Sequence, residues 1–247
     1  MKKTITNNSI KGVSLIFFLS ISFYMMLTTT YTRALGDYVL EFIGLKSWSG
    51  NFSGTHLAVI YFGILTIVLL ALVFRFVADE WKIKKRWVFI LIFVFVNIFN
   101  YITDATVIKL KKNSDGLRTI GYNFEKSKIE YQSKDMSYTK FNSEIEMTNY
   151  GNERKQFYMI INDFDYKEDG LNGIDVLTRG GEKAVFELEG NETMVFRINL
   201  NDYKISGGRV SQNGGGSDTV KDLVLTDENN NKIRLDKNNF LGTVLNE

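Results

Sequence analysis

Asn97, Asn100 and Asp104 stand in "FVNIFNYITD", at the end of a run that otherwise reads "WVFILIFVF". On a helix they fall at i, i+3 and i+7 and share one face with Tyr101. Amides and a carboxylate in such a setting can do one of two things. They can hydrogen-bond to other helices, with Ser20, Ser22, Thr28 and Thr66 as candidates inside the chain, or they can face a partner subunit or a polar route. An aspartate at the bilayer centre costs about 2.5–3.5 kcal/mol on insertion scales. The stripe is therefore expected to face protein or water. A packing role, within the chain or toward a partner, is the reading taken here; a transport route is the alternative, because three spans are few for a transporter.

Other reactive side chains are sparse. There is no cysteine, which excludes disulfides, thiolate chemistry and cysteine metal sites. His56 is the only histidine, and its place at the mouth of an apolar run reads as an interfacial polar residue. A serine–lysine pair is conceivable by counting, yet no serine stands in a nucleophile elbow, and "GGGS" at Gly214–Ser217 reads as a flexible loop. No glycine-rich turn precedes Lys-Ser or Lys-Thr, so the phosphate-cradling signature is missing. The segment 162–173, "NDFDYKEDGLNG", offers Asp163, Asp165, Glu168 and Asp169 to calcium, which takes six to eight oxygens. Lys167 and Glu168 occupy the third ligand and glycine positions of the EF-hand pattern, so a solvated acidic loop is the preferred reading. No catalytic residue, cofactor or metal is expected.

The elements that must position these residues divide the chain in two. Residues 1–112 carry three apolar runs, about 12–32, 56–78 and 87–108, each near the roughly 20 residues that a membrane-crossing helix needs. A three-helix membrane region is expected there. The "MKK" start and the small residues near Ala34 also suit a signal peptide, but the polar lead to Lys11 is long and no A-x-A site follows. Lys82, Lys84, Lys85 and Arg86 crowd the connection after the second run, and Lys2, Lys3 and Lys11 the N-terminus. By the positive-inside rule both are cytoplasmic, and everything after Ile108 is outside. Lys109, Lys111 and Lys112 run against that rule. In the first connection, Val39, Phe42, Ile43 and Trp48 interleave with Asp37, Glu41 and Lys46, which suits either a short interfacial helix with Trp48 as anchor or a loop folded over the helix ends.

Residues 113–247 change to an alternating period. Candidate strands are "RTIGYNF", "SKIEYQS", "SEIEMTNY", "KQFYMIIND", "KAVFELEG", "ETMVFRINL", "KDLVLTD" and "NKIRLD", separated by turns such as "NYGNE" and "DENNN". Strands at this spacing without helices between them indicate an antiparallel β-sandwich. Lys and Arg number ten against five Asp and Glu up to residue 108, and twenty against twenty-three beyond it. A slightly acidic second half argues against nucleic acid. The lack of proline beside abundant Lys, Asn, Ile, Tyr and Phe suits an AT-rich bacterial genome.

"IEMTNYGNERKQFYMII" resembles the strand–turn–strand of bacterial immunoglobulin-like envelope domains, in which an apolar strand ends in Asn and a Gly-Asn turn follows. "FELEGNETMVFRINL" is similar to their leucine–proline–glycine–glutamate–threonine turn through Leu188, Gly190, Glu192 and Thr193, with Glu189 in place of the proline and Asn191 inserted. The resemblance covers about 144–200. It implies a spacer, adhesive or docking module and no catalytic residues. The expectation is a non-enzymatic, multi-pass plasma-membrane protein with its N-terminus in the cytoplasm. Its extracytoplasmic immunoglobulin-like β-sandwich binds a protein or envelope polymer, and its partners are the lipid bilayer and another membrane or envelope protein. The alternative is an accessory subunit of a transport or export complex.

Overall fold

The computed structural model describes residues 7–50, 54–78, 81, 84–162, 173–208, 212–220, 222–236 and 239–245. The chain forms two compact units, Met1–Asp104 and Ala105–Glu247.

The first unit is helical: α1 (Asn7–Tyr24), α2 (Leu35–Phe42), α3 (Leu57–Val73, continuing as a wider π turn over Phe74–Ala78) and α4 (Lys85–Lys112) up to Asp104, the last turns of α4 belonging to the second unit. Among the described residues two helices are long and apolar enough to cross a membrane, Leu57–Ala78 and Lys85–Lys112. The expected third span is corrected: the apolar helix Ile10–Tyr24 is shorter. The helix tightens at its end, where the N–H groups of Met26 and Leu27 bond the Phe23 and Tyr24 carbonyls at 3.2 and 3.0 Å and the Met25 carbonyl is taken by the Gly36 N–H. Beyond it Thr29 Oγ1 meets Thr32 Oγ1 at 3.0 Å and accepts the backbone N–H groups of Tyr31 and Thr32, a local turn in place of helix.

α1 packs antiparallel to α3. Ile16 and Leu19 join Val73, Val77 and Val88 in one buried cluster, and Ser22 Oγ donates to the Phe62 carbonyl at 3.2 Å and meets Thr66 Oγ1 at 3.0 Å. α4 turns Val88, Ile92, Phe95 and Phe99 toward α1, with the Phe17 ring 6.2 Å from Phe95 and 5.7 Å from Phe99. The steps of four, three and four residues between those positions place them on one side of α4. α2 is drawn against the end of α1 because Gly36 has no side chain. A Cβ there would stand 2.5 Å from the Met25 carbonyl oxygen, the same oxygen that accepts the Gly36 N–H at 3.0 Å.

The second unit is two antiparallel sheets. β1 (Ile120–Lys134), β2 (Ser137–Asn149), β6 (Thr193–Asn199) and β8 (Asn213–Thr219) form one, in the order β6-β2-β1-β8. β3 (Lys155–Asn162), β4 (Gly173–Leu177), β5 (Val185–Leu188), β7 (Lys204–Gly207), β9 (Asp222–Thr226), β10 (Lys232–Asp236) and β11 (Thr243–Leu245) form the other, in the order β11-β10-β9-β3-β4-β7 with β5 also on β3. Alternate residues of both sheets fill one core, among them Ile145 and Phe196 from the first and Phe157, Ile161 and Leu225 from the second. The two expected strands around 118–133 are one strand, β1, with an irregularity between Asn123 and Lys128. Ser127 carries the pairing across it: its hydroxyl donates to the Asn123 carbonyl at 2.7 Å and accepts the Glu146 N–H at 3.1 Å.

"GGGS" is strand, which corrects the flexible-loop expectation. Backbone pairing needs no side chains, and Tyr131, paired with Gly216, lays its ring 3.4 Å from where a Cβ of that glycine would be.

Candidate functional site

Asn97 and Asn100 are exposed on α4, Tyr101 is 76% exposed, and Asp104 is half-buried. The stripe lies on the opposite side of the helix from Val88, Ile92, Phe95 and Phe99. Its two asparagines are exposed and do not bond the hydroxyls of Ser20, Ser22 or Thr66. Ser20 Oγ donates to the Ile16 carbonyl at 2.8 Å, and Ser22 and Thr66 bond each other. One hydrogen bond joining α4 to α1 runs from Tyr24 OH to Thr103 Oγ1 at 2.7 Å. Asn97 spends its Nδ2 on the Phe93 carbonyl of its own helix at 2.7 Å. Two neutral amides therefore point away from the chain's own packing.

A second polar constellation gathers in the first connection. Asp37, whose side chain is 1% exposed, receives His56 Nε2 at 2.6 Å on Oδ1. Trp48 stacks on the imidazole at 4.2 Å with planes 7° apart, and the two residues form a β-bridge. Ser47 closes the ring: its carbonyl accepts the N–H groups of Leu57 and Ala58 at the start of α3, and its hydroxyl donates to Glu41 at 2.7 Å. Arg33 forks onto Glu41 with both terminal nitrogens and lies 4.4 Å from the Tyr38 ring centre. The Arg33 hydrogen bonds hold the Glu41 carboxyl below its ordinary value, with Ser47 acting in the same sense and partial burial against it. His56 is thus a clasp between α2 and α3. Sequence reasoning missed this, because the Asp37–His56 pair spans nineteen residues with no motif between them. An Asp–His pair orients an imidazole as a base, but the described serine hydroxyls of the loop are committed elsewhere: Ser47 to Glu41, and Ser49 to the Thr55 N–H at 2.8 Å. Among the described residues no nucleophile is placed on it.

In the β unit, Asp222 is buried at the end of β9, opposite Asp236 in the β9–β10 register, and Arg234 contacts both carboxylates. Two acids share one guanidinium. Burial pushes the Asp222 carboxyl up to about 7, and the Asp236 charge adds to this. A raised native value means that this group's stabilising contribution is complete below the ordinary aspartate range and is lost as pH rises through about 7. Asp222→Asn is expected to flatten that dependence between pH ~4 and ~7 in thermal melts, since an amide stands in for the protonated acid. A variant that keeps the wild-type pH slope would refute the assignment.

Among the described residues no group of three or more His, Asp or Glu could hold a metal ion. Asp163, Asp165, Glu168 and Asp169, the calcium candidates of the sequence, lie outside the described residues. Compared with known proteins, the chain matches no family model, no curated protein and no solved structure.

Proposed function

We propose that the chain is a non-catalytic, multi-pass protein of the bacterial plasma membrane that presents an immunoglobulin-like sandwich outside the cell membrane. There the sandwich binds a protein or an envelope polymer. One observation carries this reading: α3 and α4 expose large apolar side chains along their length, including Ile64, Ile67 and Val68 on α3 and Phe89, Phe93 and Val94 on α4. Water would oppose such a surface, and a bilayer requires it. At ~1.5 Å per residue the 22-residue and 28-residue helices reach about 33 and 42 Å, enough for a hydrocarbon core of ~30 Å. α1 is embedded beside them, its exposed Val13, Phe17 and Phe18 equally apolar.

Orientation follows from charge. Lys84, Lys85 and Arg86 lie at the start of α4, and α1 begins at the same end of the bundle, where Gly12 abuts Trp81. That end faces the cytoplasm, so the chain leaves α4 on the outer side. Strand order supports the sandwich reading. β1-β2-β6 on one sheet and β10-β9-β3 on the other follow the order of strands A, B, E and G, F, C in immunoglobulin folds.

Zero-length crosslinking in intact membranes, followed by identification of adducts, tests the binding role. Adducts between the β unit and an envelope protein or polymer are expected. Hydrolysis of an envelope substrate by the purified full chain would overturn the non-catalytic assignment.

A further inference from the structure

Resting on this membrane reading, we propose that α4 pairs in parallel with α4 of a second copy of the chain, through a seam of Ile90, Phe93, Asn97 and Asn100. These four residues are exposed, Ile90 by 46% and Phe93 by 69%. They follow one another in steps of three, four and three, the heptad spacing by which two helices wrap around each other. The seam lies opposite the side of α4 that packs on α1, so pairing does not compete with the chain's own bundle. In hydrocarbon the open amide positions, the Asn97 oxygen and the whole Asn100 carboxamide, lack water to satisfy them.

The chemistry selects the partner. A carboxamide is both donor and acceptor and therefore complements itself. A parallel two-fold pair sets Asn97 against Asn97 and Asn100 against Asn100 at equal depth. Between Arg86 and Asp104 the helix carries no charge, so nothing on this face calls for an oppositely charged partner. Buried asparagine within a heptad seam also fixes register and favours two strands.

The absence of cysteine makes the test direct. In the full chain, kept in its membrane and oxidised with copper phenanthroline, Ile90→Cys is expected to give a covalent dimer of twice the chain mass. Ile98→Cys, 44% exposed but about 100° round the helix, is expected to give little. Adding Asn97→Ala and Asn100→Ala to Ile90→Cys is expected to weaken association about eightfold, the value of two intramembrane side-chain hydrogen bonds. Since neither asparagine packs within the bundle, the fold is retained. Equal crosslinking at 90 and 98, an unchanged yield in the alanine variant, or an adduct of another mass would each overturn the seam. A chain released from the membrane pellet by alkaline wash overturns the membrane reading as well; a retained chain without the Ile90 crosslink overturns the seam alone.

Discussion

Replacing Ile64 and Ile67 together by lysine is expected to drive the chain out of the membrane. Both side chains point outward from the middle of α3, 59% and 69% exposed. At the centre of a membrane helix a lysine costs about 2.5–3.5 kcal/mol, while each isoleucine lost contributes a further ~0.3–0.6 kcal/mol. The pair therefore removes roughly 6 kcal/mol of insertion free energy. In water the sign reverses: exposed isoleucine to lysine is neutral to within about 0.5 kcal/mol and improves solubility. The measurement is the fraction of chain left in alkaline-washed membranes. A fall of at least about tenfold is expected, since each ~1.4 kcal/mol beyond the helix's reserve is a factor of ten. A double variant that is as well retained as the wild type, or better behaved without detergent, would show that α3 does not face lipid.

The largest effect expected outside the helices comes from Asn149→Ala. This amide is fully buried at the end of β2 and ties three segments together. Nδ2 donates to the carbonyls of Glu153 at 2.7 Å, Glu189 at 3.1 Å and Leu188 at 3.4 Å, while Oδ1 accepts from Thr119 Oγ1 at 3.1 Å and the Gly151 N–H at 3.0 Å. Alanine leaves those backbone groups buried without their partner, at ~1–3 kcal/mol for each group that water cannot reach. A loss of about 3 kcal/mol is expected, which for a unit of this size lowers the melting temperature by roughly 10 °C. The strand signal in far-UV circular dichroism of the full chain in detergent reads this out. Asn149→Asp keeps the acceptor and loses the donor, so it is expected to melt below wild type too. A change under about 3 °C for alanine would mean that the turn holds without its amide.

Much of this architecture was legible because the physical signals are local. The second and third apolar runs, 56–78 and 87–108, differ by at most four residues at either end from the helices Leu57–Ala78 and Lys85–Lys112. Alternation located β2, β3, β5, β6, β9 and β10 because each puts every second residue into a shared core. β4, β7, β8 and β11 escaped: β7, β8 and β11 are short or edge strands that bury little, β8 is nearly all glycine and small polar residues, and β4, though it alternates, is only five residues long and follows the acidic segment read as loop. The end of α1 was overestimated because Met25, Met26 and Leu27 are apolar, yet the chain turns there so that the Met25 carbonyl can accept the Gly36 N–H of α2, a contact that hydropathy does not encode. Asn97, Asn100 and Asp104 were found by composition and spacing. Their direction was not, because α4 is apolar all round, and contacts with other helices, among them the rings of Phe17 and Tyr24, decide which side turns inward. The Asp37–His56 clasp depends on a loop bringing distant residues together, which no periodicity encodes.

The sidedness of the chain is tested most directly by labelling intact cells with a membrane-impermeant maleimide, since the native sequence contributes no thiol. Met136→Cys, at a hairpin tip and 66% exposed in the wild type, is expected to be labelled from outside. Arg86→Cys, at the basic start of α4, is expected to react only after permeabilisation. Labelling of Arg86→Cys from outside, with Met136→Cys protected until the membrane is opened, would contradict the orientation on which the proposed binding role depends.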